Sequence, residues 1–371
     1  MKYYIIAGEA SGDLYGALLM KALRRHDSAA EFRFWGGDAM AAEGGTPVRH
    51  IRDLAIMGFV EVLAHLGTVL GNLRFCRHDI ADYHPDVVVG IDYPGFNLKI
   101  EAWAKKQGFK TVHFISPNLW AWKKGRIKGM RRSLDRLCYI LPFEEQFFAE
   151  NDMPQAVYVG HPLLDAINSS QWATGSGQRA TDSKPVVALL PGSRKMELKN
   201  SLPKMVELAK RHPEYRFVVA GMSLLGESLY RKYIPEGSNV EVVYNQTYSL
   251  LSSAYAAIVC SGTATLETAL FNVPQVVCYS GNAISYVIAK AVVSSRIHYI
   301  SLVNLIADSP IVTELIQGDF NAGRLECEFA LITTDNDNRE RMLSQYADMC
   351  ALLGGGGAIE NTAKTITDLV K

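Results

Sequence analysis

Short apolar segments alternate along this chain with amphipathic segments of about ten to fifteen residues. This alternation is typical of βαβ units and predicts parallel sheets covered by helices. Because each apolar segment is continuous, its strand is expected to be buried on both faces. The clearest predicted strands span residues 3–7, 87–91, 111–115, 186–190, 217–220, 257–260 and 275–279, and the first is followed by a helix predicted to begin at a Ser11 cap and end at residue 26.

A segment rich in Ser, Thr and Gly, residues 166–184, lies close to the middle of the 371-residue chain. A chain of this length is expected to form about two domains. We therefore expect an α/β fold of two doubly wound, Rossmann-like domains, residues 1–168 and 184–353, that face each other across a cleft. Four glycines at 354–357 precede a last helical pattern at 358–371 and predict a hinge. That helix can pack back on the first domain or on a second chain in a homodimer.

The composition disfavours several classes of protein. Lys and Arg together number 38, as do Asp and Glu, so the net charge is zero and a general nucleic-acid-binding protein is disfavoured. Six widely separated cysteines form no CxxC pair, which indicates reduced thiols in the cytoplasm rather than disulfides or zinc. The apolar start of the chain is too short for a signal peptide, and the two uncharged stretches at 245–266 and 268–289 contain too many polar residues to span a membrane. Any membrane contact is therefore expected to be peripheral.

Ligands bind open α/β sheets at the carboxyl ends of the strands, so the residues there are the first candidates for a site. The first strand is followed by residues 8–13, GEASGD. Its glycines allow close approach of a ligand, but Glu9 and Asp13 would repel a phosphate, and the spacing matches neither a dinucleotide fingerprint nor a Walker A loop. With Ser11, these residues fit a hydroxyl-rich sugar. Ordinary turn chemistry explains the segment equally well.

Asp92 ends the apolar run 87–91 and precedes Tyr93 and Pro94. A carboxylate at the end of a buried strand, beside a cleft, is placed to accept a proton from a substrate hydroxyl as a general base. The alternative is an Asp that only accepts hydrogen bonds from the backbone of the following turn.

Two loops of the second half carry groups suited to a nucleotide diphosphate. The first, PGSR at 191–194, combines a permissive Gly192, the hydroxyl of Ser193 and the guanidinium fork of Arg194. Its alternative role is a helix cap with a surface arginine. Two such loops in one half favour nucleotide binding there.

The second loop is SGTATLE at 261–267. Ser261, Gly262, Thr263 and Thr265 would offer amides and hydroxyls to a phosphate at a helix N-terminus. Glu267 could accept hydrogen bonds from ribose hydroxyls, although an acidic residue near a helix start is also favoured by the helix dipole alone.

One Asp-X-Asp sequence occurs at 335–337, and carboxylates at this spacing can hold a divalent ion. Its surroundings, TTDNDN before a helical pattern, favour a helix cap. We expect neither a metal nor a cofactor.

Taken together and in order, these motifs resemble the bacterial lipid-A-disaccharide synthase family over essentially the whole chain. Single motifs such as PGSR are unspecific, whereas their order together with SPNLWAW is specific. The matching segments are GEASGD (8–13), VGIDYPGFN (89–97), SPNLWAW (116–122), VGHPLLD (159–165), LLPGSR (189–194), SGTATLE (261–267) and SLVNLI (301–306).

The resemblance implies a metal-independent glycosyltransferase of the GT-B fold. It would join UDP-2,3-diacylglucosamine to 2,3-diacylglucosamine 1-phosphate in an inverting reaction that gives a β-1,6-linked disaccharide and UDP. By position, Asp92 would be the catalytic aspartate, Arg194 the diphosphate-binding arginine, Glu267 the ribose ligand and Asn304 a residue of the donor cleft. Tyr93 departs from the alanine often found at its position in the family, which bears on acceptor packing.

The matched segments also place Glu9, Ser11, Asp13, Asn118 and His161 at the acceptor cleft. For His161 a structural, hydrogen-bonded histidine is the first expectation.

An aromatic and basic run around residues 120–132 has no acidic residue. Such a run suits an anionic surface, either the inner face of the inner membrane or the acceptor's phosphate, and a solvated basic helix is the alternative. The apolar stretch 54–75 fits acyl chains or an ordinary core equally well. The residues singled out in the run are Trp120, Trp122, Lys123, Lys124 and Arg126.

Two other functions fit part of the pattern. A UDP-N-acetylglucosamine epimerase would share the nucleotide half, but SPNLWAW and the basic run disfavour it. A non-catalytic nucleotide-sugar-binding module would keep Arg194 and Glu267 but would not need Asp92. A dehydrogenase is disfavoured because no GxGxxG segment opens either half.

Overall fold

A computed structural model of the protein describes residues 1–54, 66–119, 125–169, 184–281, 298–334 and 336–371. The chain divides into two compact units. The first consists of Met1–Ser169 together with Gly355–Lys371, and the second of Ser170–Gly354.

The first unit contains a seven-stranded sheet in the order β3-β2-β1-β4-β5-β6-β7, with every pair parallel. In β4 every residue is buried, as the continuous apolar run predicts. The strands are β1 (Lys2–Ala7), β2 (Glu31–Gly36), β3 (Thr46–His50), β4 (Val87–Ile91), β5 (Lys110–Phe114), β6 (Arg136–Tyr139) and β7 (Ala156–Tyr158).

Seven helices described in the main part of this unit connect those strands, and one short 3₁₀ turn, Ile51–Asp53, follows β3. The cap of the first helix lies two residues earlier than expected: Glu9 is the capping position and Ser11 lies exposed in the first turn, so the prediction of a Ser11 cap is wrong. The helices are α1 (Ala10–His26), α2 (Asp38–Ala42), α3 (Leu66–Tyr83), α4 (Pro94–Lys106), α5 (Arg126–Ser133), α6 (Glu144–Glu150) and α7 (Pro162–Ser169).

The second unit contains a six-stranded parallel sheet in the order β10-β9-β8-β11-β12-β13. The prediction of two doubly wound α/β sheets is therefore confirmed. The strands are β8 (Val186–Leu190), β9 (Arg216–Gly221), β10 (Val240–Tyr244), β11 (Ala256–Cys260), β12 (Gln275–Tyr279) and β13 (Thr313–Ile316).

Helices flank this sheet as well, and two further 3₁₀ turns, Ser223–Leu225 and Gln317–Asp319, lie between its elements. The described helices are α8 (Lys195–Arg211), α9 (Glu227–Arg231), α10 (Thr247–Ser253), α11 (Thr263–Leu270), α12 (Leu302–Ala307), α13 (Ala322–Thr333) and α14 (Asn336–Leu353).

The last helix, α15 (Ala358–Val370), returns to the first unit and packs on α1, α7, β5 and β6. It buries one apolar face, including Ala358, Ala363 and Ile366. Gly357 begins the helix from a left-handed conformation (φ 88°), which glycine adopts without strain. The same chain thus supplies the surface that covers this helix.

A carboxylate from α7 fixes the start of α15. The two carboxylate oxygens of Asp165 accept hydrogen bonds from the backbone N–H groups of Gly357 (2.5 Å) and Ile359 (2.7 Å). These N–H groups belong to the first turn, where a helix offers them no internal partner and where a negative charge is favourable.

We expect Asp165→Ala to lower the free energy of unfolding by about 1 to 2 kcal/mol, because it removes the cap of α15. Hydrogen exchange should show the loss of protection over residues 358–370 first, and urea unfolding should give its size. The matched control is Asp368→Ala, which removes an exposed carboxylate from the same helix. Equal protection of α15 in the Asp165 variant and the wild type would contradict the assignment of Asp165 as its cap.

Candidate functional site

In both sheets the strand order reverses between two neighbouring strands: β1 and β4 in the first unit, β8 and β11 in the second. Such a reversal leaves a crevice at the carboxyl ends of the two strands, where open α/β sheets bind their ligands. Residues 8–13 and Asp92 follow β1 and β4, and PGSR and SGTATLE follow β8 and β11. Each unit therefore has its predicted motifs at its own crevice.

Asp92 and Tyr93 both adopt left-handed backbone conformations, with φ of 46° and 48°. Two consecutive non-glycine residues in this region are uncommon and strained, and such strain concentrates at functional sites. The turn is held in place: the Asp92 N–H donates to the carbonyl oxygen of Phe114 (2.8 Å), and the side-chain amide of the fully buried Asn97 donates to that of Asp92 (2.8 Å). Sequence reasoning overlooked Asn97.

The carboxyl group of Asp92 is partly buried. Burial raises its pKa, whereas the charge of His113 and a hydrogen bond from the Tyr93 backbone act in the opposite direction. A carboxylate with a raised pKa is a better proton acceptor than one in water, provided that it remains ionised at the working pH.

The turn after β1 lies beside the turn that carries Asp92. A side chain at Gly8 would collide with the ring of Tyr93, so glycine is required for this close approach. Glu9 is half-buried, and its charge, after burial, contributes to a raised pKa of Tyr93. Ser11 is exposed.

The carboxylate of Asp13 is used within the first unit. It is buried, and its carboxylate accepts hydrogen bonds from the backbone N–H groups of Gly37 (2.6 Å), Ala39 (3.0 Å) and Met40 (3.0 Å). These groups open α2, so Asp13 caps a neighbouring helix from across the sheet. Its expected place at the acceptor cleft is therefore corrected to a structural role.

Asn118 is exposed on the loop after β5. His161 is 3% exposed, and its Nδ1 accepts a hydrogen bond from the Leu163 N–H (3.2 Å) at the start of α7. Burial lowers the pKa of His161 to about 4, which keeps the ring neutral. The arrangement agrees with the structural histidine expected first. Glu144 is a buried carboxyl group that sequence reasoning overlooked, and burial raises its pKa to about 8.

The PGSR loop is held by Glu197, a residue in the first turn of α8. Gly192 has φ of 106°, and a Cβ there would lie 2.5 Å from Oε2 of Glu197. That oxygen accepts hydrogen bonds from the N–H groups of Ser193 (3.0 Å) and Arg194 (3.3 Å). Glu197 thus forms a capping box at the start of α8, the helix cap that was the alternative role of this loop. The Arg194 side chain is 57% exposed.

The SGTATLE loop begins α11 from Gly262, whose φ of 156° lies at the edge of the range that glycine alone enters readily. The Ser261 hydroxyl donates to the carbonyl oxygen of Ile300 (3.3 Å), and Thr263 is exposed. Thr265 is fully buried and its hydroxyl donates to the Gly262 carbonyl oxygen (2.8 Å). A direct contact of Thr265 with donor phosphate is therefore not expected, and its role is to hold the loop.

Glu267 lies further along α11 and is partly buried. Burial raises its pKa, and the Tyr248 hydroxyl, 3.1 Å from Oε1, acts in the opposite direction. Tyr248 lies on α10 and packs against Phe271. The second carboxylate oxygen of Glu267 can therefore face a ligand while the first is held by Tyr248.

Asn304 is 1% exposed, and its side chain is used within the chain. Its amide donates to the Val312 carbonyl oxygen (2.9 Å) and to Glu314 (3.0 Å), and its oxygen accepts from the Val312 N–H (2.9 Å). Asn304 is thus corrected from a donor-contacting residue to one that fixes α12 against β13. Glu314, which sequence reasoning overlooked, also accepts from the Ser301 N–H (2.8 Å).

Of the aromatic and basic run, Trp120, Trp122, Lys123 and Lys124 lie outside the described residues. Arg126 is half-buried at the start of α5, whose exposed side carries Lys128, Arg131 and Arg132. Among the helices that the structure describes, none is long and apolar enough to cross a membrane.

The predicted Asp-X-Asp cap cannot be placed, because Asp335 lies outside the described residues. Within the ranges that are described, no three His, Cys, Asp or Glu side chains come together as a metal site would require.

Solved structures share this fold at low sequence identity. The UDP-GlcNAc 2-epimerase of Neisseria meningitidis, solved with UDP-GlcNAc bound, is 14% identical, with a TM-score of 0.69 over 99% of this chain and 100% of that one. The glycosyltransferase of kitacinnamycin is 15% identical, with a TM-score of 0.66 over 100% and 99%. Likeness at this identity establishes the fold class, the GT-B arrangement of two α/β domains, and nothing about activity.

The sequence itself has much nearer relatives. The family model described as lipid-A-disaccharide synthetase matches residues 3–356. The lipid-A-disaccharide synthase of Chromohalobacter salexigens is 37% identical over all of this chain and 97% of its own length, and that of Myxococcus xanthus is 35% identical over 99% and 97%. The chain belongs to the lipid-A-disaccharide synthase family.

Proposed function

We propose that the protein transfers diacylglucosamine from UDP-2,3-diacylglucosamine to the 6-hydroxyl of 2,3-diacylglucosamine 1-phosphate, giving the β-1,6-linked disaccharide 1-phosphate and UDP. Its family membership establishes a glycosyltransferase of lipid A biosynthesis. The observation that supports the finer proposal is the pairing of chemistries: one crevice carries a partly buried carboxylate, and the other carries two glycine-containing loops that each lead into a helix N-terminus.

In the proposed mechanism Asp92 accepts the proton of the acceptor hydroxyl. The acceptor oxygen forms a bond to C1 of the donor sugar while the bond between C1 and the diphosphate oxygen breaks, so the configuration at C1 is inverted. Arg194, the Ser193 amide and the amides at the N-terminus of α11 would stabilise the negative charge of the departing UDP. Glu267 would accept hydrogen bonds from the ribose, and Glu9 and Asn118 would contact the acceptor.

The epimerase alternative has weaker support. The epimerase structures resemble this chain in fold alone, whereas the synthase family matches nearly the whole sequence. A binding module without activity is disfavoured because its crevice would not need the strained turn that presents Asp92.

Product analysis tests the proposed reaction. Purified protein is incubated with UDP-2,3-diacylglucosamine and, in separate reactions, with acceptors that carry or lack the 1-phosphate and either acyl chain. Mass spectrometry should detect a disaccharide 1-phosphate and an equal amount of UDP, and NMR coupling at the new bond should identify the β anomer. An α linkage would refute inversion, and UDP release or an epimerised sugar without disaccharide would refute the transfer.

We expect the transfer to need no divalent metal, because amides and the Arg194 guanidinium supply the charge stabilisation that a metal would otherwise give. Initial rates should stay unchanged after exhaustive dialysis against EDTA. Loss of activity on EDTA treatment and its recovery with magnesium, but not with sodium, would show that this expectation is wrong.

We further propose that the protein binds the inner face of the inner membrane peripherally, where its acylated substrates lie. Helix α5 exposes Lys128, Arg131 and Arg132 on one side while Ile127 and Met130 anchor its other side in the core. Arg131 pairs with Asp152 (2.9 Å), so Lys128 and Arg132 are the cations proposed to meet anionic headgroups.

The double variant Lys128→Gln/Arg132→Gln should bind anionic liposomes more weakly by about 2 kcal/mol, at about 1 kcal/mol per basic residue. Sedimentation with liposomes of anionic and of zwitterionic lipid, at low and high salt, measures the difference. The matched control, Lys364→Gln/Lys371→Gln, removes one exposed lysine within α15 and the exposed lysine that follows it. Equal sedimentation of both variants would remove α5 from the proposed contact.

A further inference from the structure

An ion pair lies fully buried beneath the Asp92 turn. Glu101 of α4 and His113 of β5 are both 0% exposed, and Glu101 Oε1 lies 2.7 Å from His113 Nδ1. Removing two charged groups from water is costly, so a buried pair of this kind is weak evidence for stability and calls for another reason.

The sheet makes room for this pair. Gly90 of β4 is the register partner of His113 on the neighbouring strand. A Cβ at Gly90 would collide with Oε1 of Glu101 and would lie 2.9 Å from Cβ of Asn97. A strand interior loses side-chain packing at a glycine, which often marks a site where another group must approach closely. Here that group is the Glu101 carboxylate.

The second polar atom of each side chain in the pair is also buried. Among the residues that the structure describes, His113 Nε2 and Glu101 Oε2 are buried without a hydrogen-bond partner. Buried polar atoms are paired in most proteins, and unpaired ones concentrate where function requires them. The pair is therefore not arranged for maximal hydrogen bonding.

The charged groups around Asp92 come from three elements. His113 of β5 interacts electrostatically with Asp92, and Glu9 of the β1–α1 turn interacts with the adjacent Tyr93. Further along α4, Lys105 pairs with Asp135 before β6, and this pair neutralises itself. Within the described ranges, the cation that acts on Asp92 is thus His113, and the anions that act on His113 are Glu101 and Asp92.

The charge of His113 is stabilised by its surroundings. Burial lowers its pKa, but the charge and hydrogen bond of Glu101 and the charge of Asp92 outweigh this effect, so the pKa of His113 is raised. Reciprocally, burial raises the pKa of Asp92 and the imidazolium counteracts it.

We propose that Glu101 and His113 are positioning residues for the catalytic carboxylate: Glu101 holds the imidazole as a cation beneath the strained turn, and this fixed positive charge keeps Asp92 ionised. The proposal rests on the function proposed for Asp92 as the general base. If the pair served only to hold the sheet together, its removal would leave the ionisation of Asp92 unchanged.

The pH dependence of kcat/KM separates these two roles. Activity requires ionised Asp92, so it falls as the pH drops through the pKa of this group. The variant His113→Gln removes the cation, which raises that pKa further, and the acid limb should move to higher pH by about one unit or more. An acid limb at the wild-type pH, or one moved to lower pH, would overturn the proposal whatever the loss in plateau activity.

Because His113→Gln leaves Glu101 as an unpaired buried carboxylate, the variant can fail to fold. The double variant Glu101→Gln/His113→Gln replaces the ion pair by two amides that can bond to each other. Its acid limb should also move to higher pH, but by less than in the single variant, because the negative charge of Glu101 is removed together with the cation. The matched control is His26→Gln. His26 forms a 2.5 Å pair with Glu360 in the same unit, at the end of α1, and its loss should leave the pH profile unchanged.

A reciprocal measurement avoids altering the pair. In Asp92→Asn the anion that supports His113 is gone, so the NMR titration of the His113 ring should move to lower pH than in the wild type. An unchanged titration would overturn the proposal.

The outcome for Asp92→Asn keeps the two proposals separate. If that variant retains turnover, the proposed general base is wrong. If it loses turnover while the His113→Gln profile stays unchanged, only the positioning role fails.

Discussion

Asp92→Asn is expected to reduce kcat by about 10²- to 10⁴-fold, the usual contribution of a positioned general base. The amide nearly preserves the size of the side chain but cannot accept a proton at working pH. UDP binding should stay unchanged, because the proposed nucleotide groups belong to the second unit. Turnover is measured by UDP release, and affinity for UDP by titration calorimetry.

The control for this variant is Asp86→Asn. Asp86 precedes the same strand at its opposite end, is exposed, and accepts a hydrogen bond from the Lys2 N–H (2.7 Å), which an asparagine oxygen can still accept. It should have wild-type activity. Undiminished turnover in Asp92→Asn would assign the proton transfer to another group, and a parallel loss of UDP binding would point to a global defect.

The fold was predictable because its central strands carry continuous apolar runs. β4, β8 and β11 are buried along almost their whole length and are all found where the sequence predicts them. The edge strand β3 escaped prediction because its exposed positions interrupt the apolar pattern. The same holds for the short strand β7, whose residues are half-buried or exposed. Edge strands lack the two-sided burial that produces the signal.

The positions of the motifs in the fold were predictable as well, since both motif pairs follow strands at a switch point. The roles of individual polar residues were less predictable from the sequence. Asp13, Thr265 and Asn304 have the residue types of a ligand site, yet each uses its side chain on backbone groups of its own unit. Residue type states what a side chain can bind, whereas only the three-dimensional arrangement shows whether a backbone partner already holds it.

Glu101 and His113 illustrate the opposite case: both have a proposed functional role, and neither was a candidate from the sequence, because neither stands in a loop. Two local signals were nevertheless present: a histidine within the apolar run of β5, and Gly90 within the otherwise branched run of β4. A glycine in a buried strand beside a polar residue in the neighbouring strand indicates a space that some side chain must fill. Topology was needed to identify that side chain as Glu101.

The second large effect is expected at Arg194. Its guanidinium is well exposed and its contact with Glu197 is long, 3.4 Å, so it is free to turn toward a ligand. Arg194→Ala should lower kcat/KM for the donor by about 10²- to 10³-fold, the loss typical of one group that stabilises charge on a leaving group. Arg194→Lys should recover part of this loss, since it keeps the charge but not the two-pronged geometry.

The carboxylate of Glu197 allows a second test of the role of Arg194. It occupies the Ser193 and Arg194 amides, so a diphosphate that binds there must displace it. Displacement leaves Glu197 close to an anion, and the guanidinium of Arg194 is the nearby cation that can offset the repulsion. UDP affinity should therefore fall in Arg194→Ala and be partly restored in the double variant Arg194→Ala/Glu197→Gln.

Arg211→Ala provides the matched control, because Arg211 ends the same helix and pairs with Glu326 (3.2 Å). It should retain the donor kinetics of the wild type. Donor kinetics unaffected by Arg194→Ala would move the diphosphate away from the PGSR loop, and the occupied amides would then be the ordinary cap of α8.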